Sequence, residues 1–152
     1  MLSTTRGYCD IGPEAVAAVV DAGRRGGKTV ICDVPRQLTP GSGPVVESAD
    51  LMVIVATCDV RSIAATAALT GVLRSLNPNL GLVVRGPAPG GLRAEEVVDV
   101  SGVPLLATMR PEPMLDRRLE QEGLHLRRRS PLASATRTVL AVLDSRSGVR
   151  AA

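Results

Sequence analysis

Thr29-Val30-Ile31-Cys32-Asp33-Val34-Pro35 reads as a short strand that ends in an acid. Thr29, Val30 and Ile31 are β-branched and favour a pleated backbone. Pro35 has no N–H to give a ladder, so it stops the strand just beyond the carboxylate. An acid at the carboxyl end of a buried strand stands where open α/β sheets hold their ligands. Asp33 is therefore the first candidate for chemistry.

Working outward, residues 1–11 show no period, and Pro13 opens a helix with Val16, Val19, Val20 and Gly23 on one face. Gly23 and the Gly26-Gly27 pair end it. The stretch Ala22-Gly23-Arg24-Arg25-Gly26-Gly27-Lys28-Thr29 resembles a phosphate-binding loop with its first glycine replaced. Such a loop needs a strand before it and a helix after it, so that helix N-terminal amides face the phosphates. Here the order is reversed, and the glycines read as a helix stop.

Downstream, residues 36–48 form a loop with a short helix near Val45–Ser48, and Leu51–Ala56 is a continuous apolar run expected to be buried on both faces. Asp59 is placed to cap a helix carrying Val60, Ile63, Ala64, Ala67, Ala68, Val72 and Leu76 at helical spacing. Asn77-Pro78-Asn79 breaks it before a strand at Leu80–Val84. A stiff loop at 86–91 leads to a short helix near Arg93–Val100, and Val103–Thr108 is a fourth strand whose Pro104 suits an edge. A charged helix, roughly Met114–Glu122, ends at Gly123. Ser130-Pro131 then starts a last helix with Leu132, Ala135, Val139, Leu140, Val142 and Leu143 on its apolar side. Alternating strands and helices predict an α/β fold: one domain, 1–152, in three layers, with a mostly parallel sheet of about four strands and helices on both faces.

Composition narrows the function. The 152 residues are 45% hydrophobic yet contain no Phe, no Trp and one Tyr, Tyr8, so Ala, Val and Leu fill the core. A net charge of +3 without aromatic stacking platforms argues against specific nucleic-acid binding. Cys9, Cys32 and Cys58 are widely spaced and odd in number, which predicts free thiols in a reducing cytoplasm rather than a zinc site or disulfides. No signal peptide or membrane-length apolar run is evident. His125, the sole histidine, reads as a surface residue. Arg127-Arg128-Arg129 reads as a solvated lead-in to the last helix, and that helix as core-facing.

Four segments occur in one order: Val30-Ile31-Cys32-Asp33-Val34-Pro35; Ala49-Asp50-Leu51-Met52-Val53-Ile54-Val55; the run from Gly81-Leu82-Val83-Val84-Arg85-Gly86 to Gly90-Gly91-Leu92; and Pro104-Leu105-Leu106-Ala107-Thr108-Met109-Arg110-Pro111-Glu112-Pro113. That series resembles the second half of MinD/ParA-type ATPases, most nearly the CpaE-like, septum-site-determining branch of high-GC bacteria. The resemblance covers nearly the whole chain, and it implies an incomplete P-loop NTPase-like fold.

By this resemblance Asp33 matches the strand-end acid that holds magnesium through water, and residues 34–41, Pro35 among them, match the loop that senses the γ-phosphate. The adenine-reading Asn expected at about Val84 is missing from Val83-Val84-Arg85-Gly86, which puts Arg85 at that side of the nucleotide. Arg110 and Pro111 match its other side. The family's Lys-bearing phosphate loop is absent from these 152 residues, and without it phosphates are neither cradled nor neutralised. The expectation is a chain that needs no cofactor and does not hydrolyse ATP alone, with ATP and Mg2+ entering only beside a phosphate-loop half. The resemblance further implies protein partners in division or secretion machinery, with room for a homodimer and for weak contact with a membrane surface, and a cytoplasmic protein recruited to septum, pole or inner membrane face. Two other readings stay open: part of an ATPase whose phosphate-loop half is encoded upstream, and a flavodoxin-like interaction domain.

Overall fold

Pro13 starts the first helix where the sequence places it. A computed structural model describes residues 12–121 and 123–150, with side chains as far as Arg146. The irregular start read for residues 1–11, with Tyr8 and Cys9, lies outside the described residues, as does Glu122. The chain divides into two compact units, with the boundary between Ala49 and Asp50.

In the first unit, helix α1 is Pro13–Arg25 and α2 is Gly43–Ser48, the latter entered through a 3-10 turn at Pro40–Ser42. Gly26 ends α1 by donating to the Ala22 carbonyl at 3.0 Å, and Gly27 adopts φ 65° in the left-handed region. That is a helix stop, as the reversed order of elements required. α1 packs against α2, and the Arg24 guanidinium donates to the Ser48 carbonyl at 3.2 Å. Val45 and Val46 are buried, whereas Val19, expected on the inner face of α1, is half exposed.

The strand expected at Thr29–Cys32 does not form: residues 28–35 are neither helix nor strand. A strand exists only when a neighbour completes its ladder, and the described residues of this unit contain no other strand. Val30 instead lies over Gly23 of α1, where a Cβ would come within 2.6 Å of its Cγ2. Ile31 is left 84% exposed.

The second unit contains a three-stranded parallel sheet in the order β1 (Met52–Thr57), β2 (Leu80–Arg85), β3 (Leu105–Met109). Met52 lies opposite Leu80 and Thr57 opposite Arg85, while the β2–β3 register shifts between Leu82 and Val83. The α/β class and the parallel pairing are thus as read from the sequence, with three strands instead of about four among the described residues.

Helices α3 (Val60–Leu76) and α4 (Ala94–Ser101) make the two crossovers. Both step the same way across the sheet, so right-handed connection puts both on one face, where they touch each other. That face carries Ile54, Ala56, Leu82 and Val84, all buried. α3 turns Thr66, Thr70 and Leu73 inward and leaves Val60, Val72 and Leu76 outside, contrary to the apolar stripe read from the sequence. The helix is rich in small and apolar residues all round, so the pattern alone did not select a face. Gly102, at φ 64°, closes α4, and the Arg74 guanidinium of α3 donates to the Gly102 carbonyl.

Helices α5 (Leu115–Gln121) and α6 (Pro131–Arg150) follow β3. α6 packs on β3 and spans the sheet, with the Arg146 guanidinium reaching Asn79 Oδ1 at 3.4 Å at the strands' amino ends. Ala135 of this helix is buried, and Leu140 of its expected apolar face is more than a third exposed. On this side of the sheet Gly81 and Val83 are covered. Over β1 the cover is missing: Val53 is 37% and Val55 64% exposed. The run Leu51–Ala56 is therefore buried on one face only, because within its unit only α3 packs against it.

Candidate functional site

The carboxyl ends of the strands collect the polar chemistry of the second unit. After β1, Asp59 caps α3: its Oδ1 accepts from the Ser62 amide at 2.9 Å, and its Oδ2 accepts from the Thr57 hydroxyl. The Thr57 hydroxyl, and after it the Ser62 amide, hold this carboxyl below the ordinary 3.8. Beside it, Cys58 is buried; burial first, then the carboxylates of Glu95, Asp59 and Glu96, raise its thiol above 9.0. Its Sγ is so near Gly86 that a Cβ there would stand 2.8 Å away. Only glycine lets the end of β2 pass this sulfur.

Beyond β2 and β3 the chain forms a cleft of about 400 Å³ lined by Gly86, Thr108, Met109, Arg110, Arg129, Pro131 and Ser134. The Gly86 amide donates to the Met109 carbonyl at 2.9 Å, which carries the β2–β3 ladder to the cleft floor. α6 brings the opposite wall. Its start is fixed by Ser130, whose Oγ accepts from the Ala133 amide at 3.1 Å, and by Pro131 at the first helical position. Glu112 locks the arrangement. Its carboxylate, 5% exposed, meets the Arg118 guanidinium at 3.4 Å and the Leu132 amide at 3.4 Å, so it joins α5 to the head of α6.

The residues singled out by the sequence fall in different places. Asp33 and Pro35 are exposed in the first unit, in the stretch without regular structure. Arg85, the exposed last residue of β2, lies opposite Met109 in the second unit. Arg110 lines the cleft and the exposed Pro111 follows it. Arg85 thus ends β2, and Arg110 follows the neighbouring β3. Thr108, Arg129 and Ser134 escaped sequence reasoning. Arg129 sat in a basic run with no visible target, and only the return of α6 across β3 gives it one. His125 is exposed, as expected.

Fit to magnesium and ATP can be tested on these residues. Among the described residues no group of three His, Cys, Asp or Glu side chains could hold a metal ion. Magnesium in nucleotide sites needs only one or two carboxylates, the remaining ligands being phosphate and water. Asp33 could be one of them, but nothing in the sequence cradles the phosphates. The residues present do not make a magnesium–ATP site by themselves. No helix among the described residues is long and apolar enough to cross a membrane.

No family model matches the chain. It is 62% identical over 141 residues, 92% of its length, to two Mycobacterium tuberculosis proteins: the uncharacterized protein Rv3660c of strain H37Rv and the uncharacterized protein MT3760 of strain CDC 1551 / Oshkosh. The chain spans 40% of the length of each of these curated relatives.

Proposed function

We propose that this chain is a MinD/ParA-like domain of the CpaE-like, septum-site-determining kind, which acts in division-site placement or polar localisation through protein contacts and does not turn over ATP by itself. One observation carries the reading. The sheet is parallel, with a helix crossing between successive strands, and among the described residues the outer side of β1 has no strand beside it and carries two exposed valines, Val53 and Val55. Surfaces of that kind are normally covered by other polypeptide. The sequence order of the four matched segments supplies the family, and the lack of a phosphate loop in the sequence supplies the expected inactivity. Recruitment to the septum, a pole or the inner membrane face belongs to the same proposal.

The test has two parts. Titration with Mg-ATP and a phosphate-release assay on these 152 residues should show neither tight binding nor turnover; turnover would overturn the inactivity. A fluorescent fusion should concentrate at septum or pole, and Val55→Lys should make it diffuse while the circular dichroism spectrum is unchanged. A fusion that is diffuse from the start removes the localisation role.

The length of the relatives favours a second reading, in which the chain corresponds to part of an ATP-binding protein. The 141 matched residues make up 40% of each relative, which puts the relatives at about 350 residues. That leaves room for a phosphate-loop half. Mg-ATP titration of the full-length relative beside this chain separates the two readings.

A further inference from the structure

The cleft at the ends of β2 and β3 is basic in its lining. Two arginines, Arg110 and Arg129, line it, and among the described residues no acidic one does. Neither arginine has a hydrogen-bond or ion-pair partner among the described residues. The acid nearest to Arg110 in sequence, Glu112, is already committed to Arg118 and the Leu132 amide, so it does not neutralise that arginine. Ser134 adds a further polar residue to the lining, while Met109, Pro131 and Gly86 give it an apolar part.

The amides at the head of α6 are spoken for: those of Leu132, Ala133 and Ser134 go to Glu112, Ser130 Oγ and the Ser130 carbonyl. Binding would therefore rest on side chains. Two guanidinium forks without partners among the described residues suit a tetrahedral oxyanion, because each fork can give two parallel N–H bonds to its oxygens. A volume of about 400 Å³ exceeds what a bare ion fills and falls within the range of small organic ligands.

We propose that this cleft binds a phosphate monoester carrying a small organic group, its phosphate held by Arg110 and Arg129 and its organic part lying on Met109 and Pro131. The inference is independent of the septum-site reading, since it uses only the second unit's own side chains. The same phosphate chemistry occurs in a free metabolite and in a monoester lipid headgroup, and the experiment separates these sources.

The 152-residue protein is titrated by calorimetry with glycerol 3-phosphate, and by co-sedimentation with phosphatidylcholine vesicles with or without phosphatidic acid. Arg110→Gln and Arg129→Gln should each weaken binding about tenfold or more, the loss of a charge-assisted bond. Arg61→Gln, an equal change of charge at the exposed start of α3, should leave it unaltered. Arg110→Lys should recover only part of the affinity, since a point charge replaces a fork. Binding of glycerol 3-phosphate with this variant pattern supports a soluble ligand. Binding only to vesicles with phosphatidic acid, with the same pattern, supports the headgroup. Equal weakening by Arg61→Gln would reduce the effect to general charge and overturn the site, as would no binding to either probe.

Discussion

The one-sided burial of β1 can be tested with two neighbouring residues. Ile54 is 7% exposed and Val55 is 64% exposed. Ile54→Ala removes three buried side-chain carbons, about 2.4 kcal/mol at roughly 0.8 kcal/mol each, and the cavity left under α3 brings the loss to about 3 kcal/mol. Val55→Ala removes two carbons of which about one third of the surface is covered, so the same coefficient gives about 0.5 kcal/mol. Val55→Thr keeps the β-branch and should also stay within about 0.5 kcal/mol. With no Trp or Phe in the chain, unfolding is followed by circular dichroism in urea. At a slope of about 2 kcal/mol/M, the midpoint should fall by about 1.5 M for Ile54→Ala and about 0.25 M for Val55→Ala. Equal shifts would mean that both faces of β1 are covered, and the open side would have to be abandoned.

Three further outcomes follow from groups already described. Glu112→Gln keeps the acceptor but loses the charge that joins Arg118 to α6; because Arg118 is itself 29% exposed, the expected loss is about 1 kcal/mol, read from the same urea curves. The Asp59 carboxyl is held below 3.8 in the folded chain, so its contribution is fully present above that ordinary value and is lost as pH falls through the lower folded one. Asp59→Asn should accordingly flatten the acid limb of a stability profile taken at a series of pH values. Of the two described cysteines, exposed Cys32 should label with a thiol reagent in the native protein. Buried Cys58, its thiol shifted upward, should label only on unfolding, as peptide mapping by mass spectrometry would reveal.

What the sequence discloses here depends on how local the cause is. Asp59, Ser130-Pro131 and Gly26-Gly27 act within one turn of themselves, and each begins or ends a helix where it was read. Leu80–Val84 is apolar because β2, the central strand, is buried on both faces, and that too is visible as a run. Thr29–Cys32 has a similar run but no ladder within its unit, and a run does not report whether a neighbour exists. Val53 and Val55 look inward-facing for the same reason: their composition suits two layers of helix, and among the described residues of their unit only α3 packs on β1. The face of α3 stayed hidden because small residues surround it. In the cleft, Arg110 was legible through its place after a strand, whereas Arg129 and Ser134 become neighbours of Gly86 only through the fold.

The two rims of the sheet are not equivalent, and this gives it a direction of growth. At β3 the entry is a proline, the register is irregular and α6 lies on the strand. At β1 six residues run straight, with no proline and no charge, and among the described residues no strand faces their outer amides and carbonyls. Any strand that joins this sheet joins there, whether from the same polypeptide or from another. At high concentration the same rim favours chain-to-chain pairing, and a net charge of +3 offers little repulsion against it. Assembly of the isolated chain should therefore rise with concentration and subside when the rim of β1 is occupied.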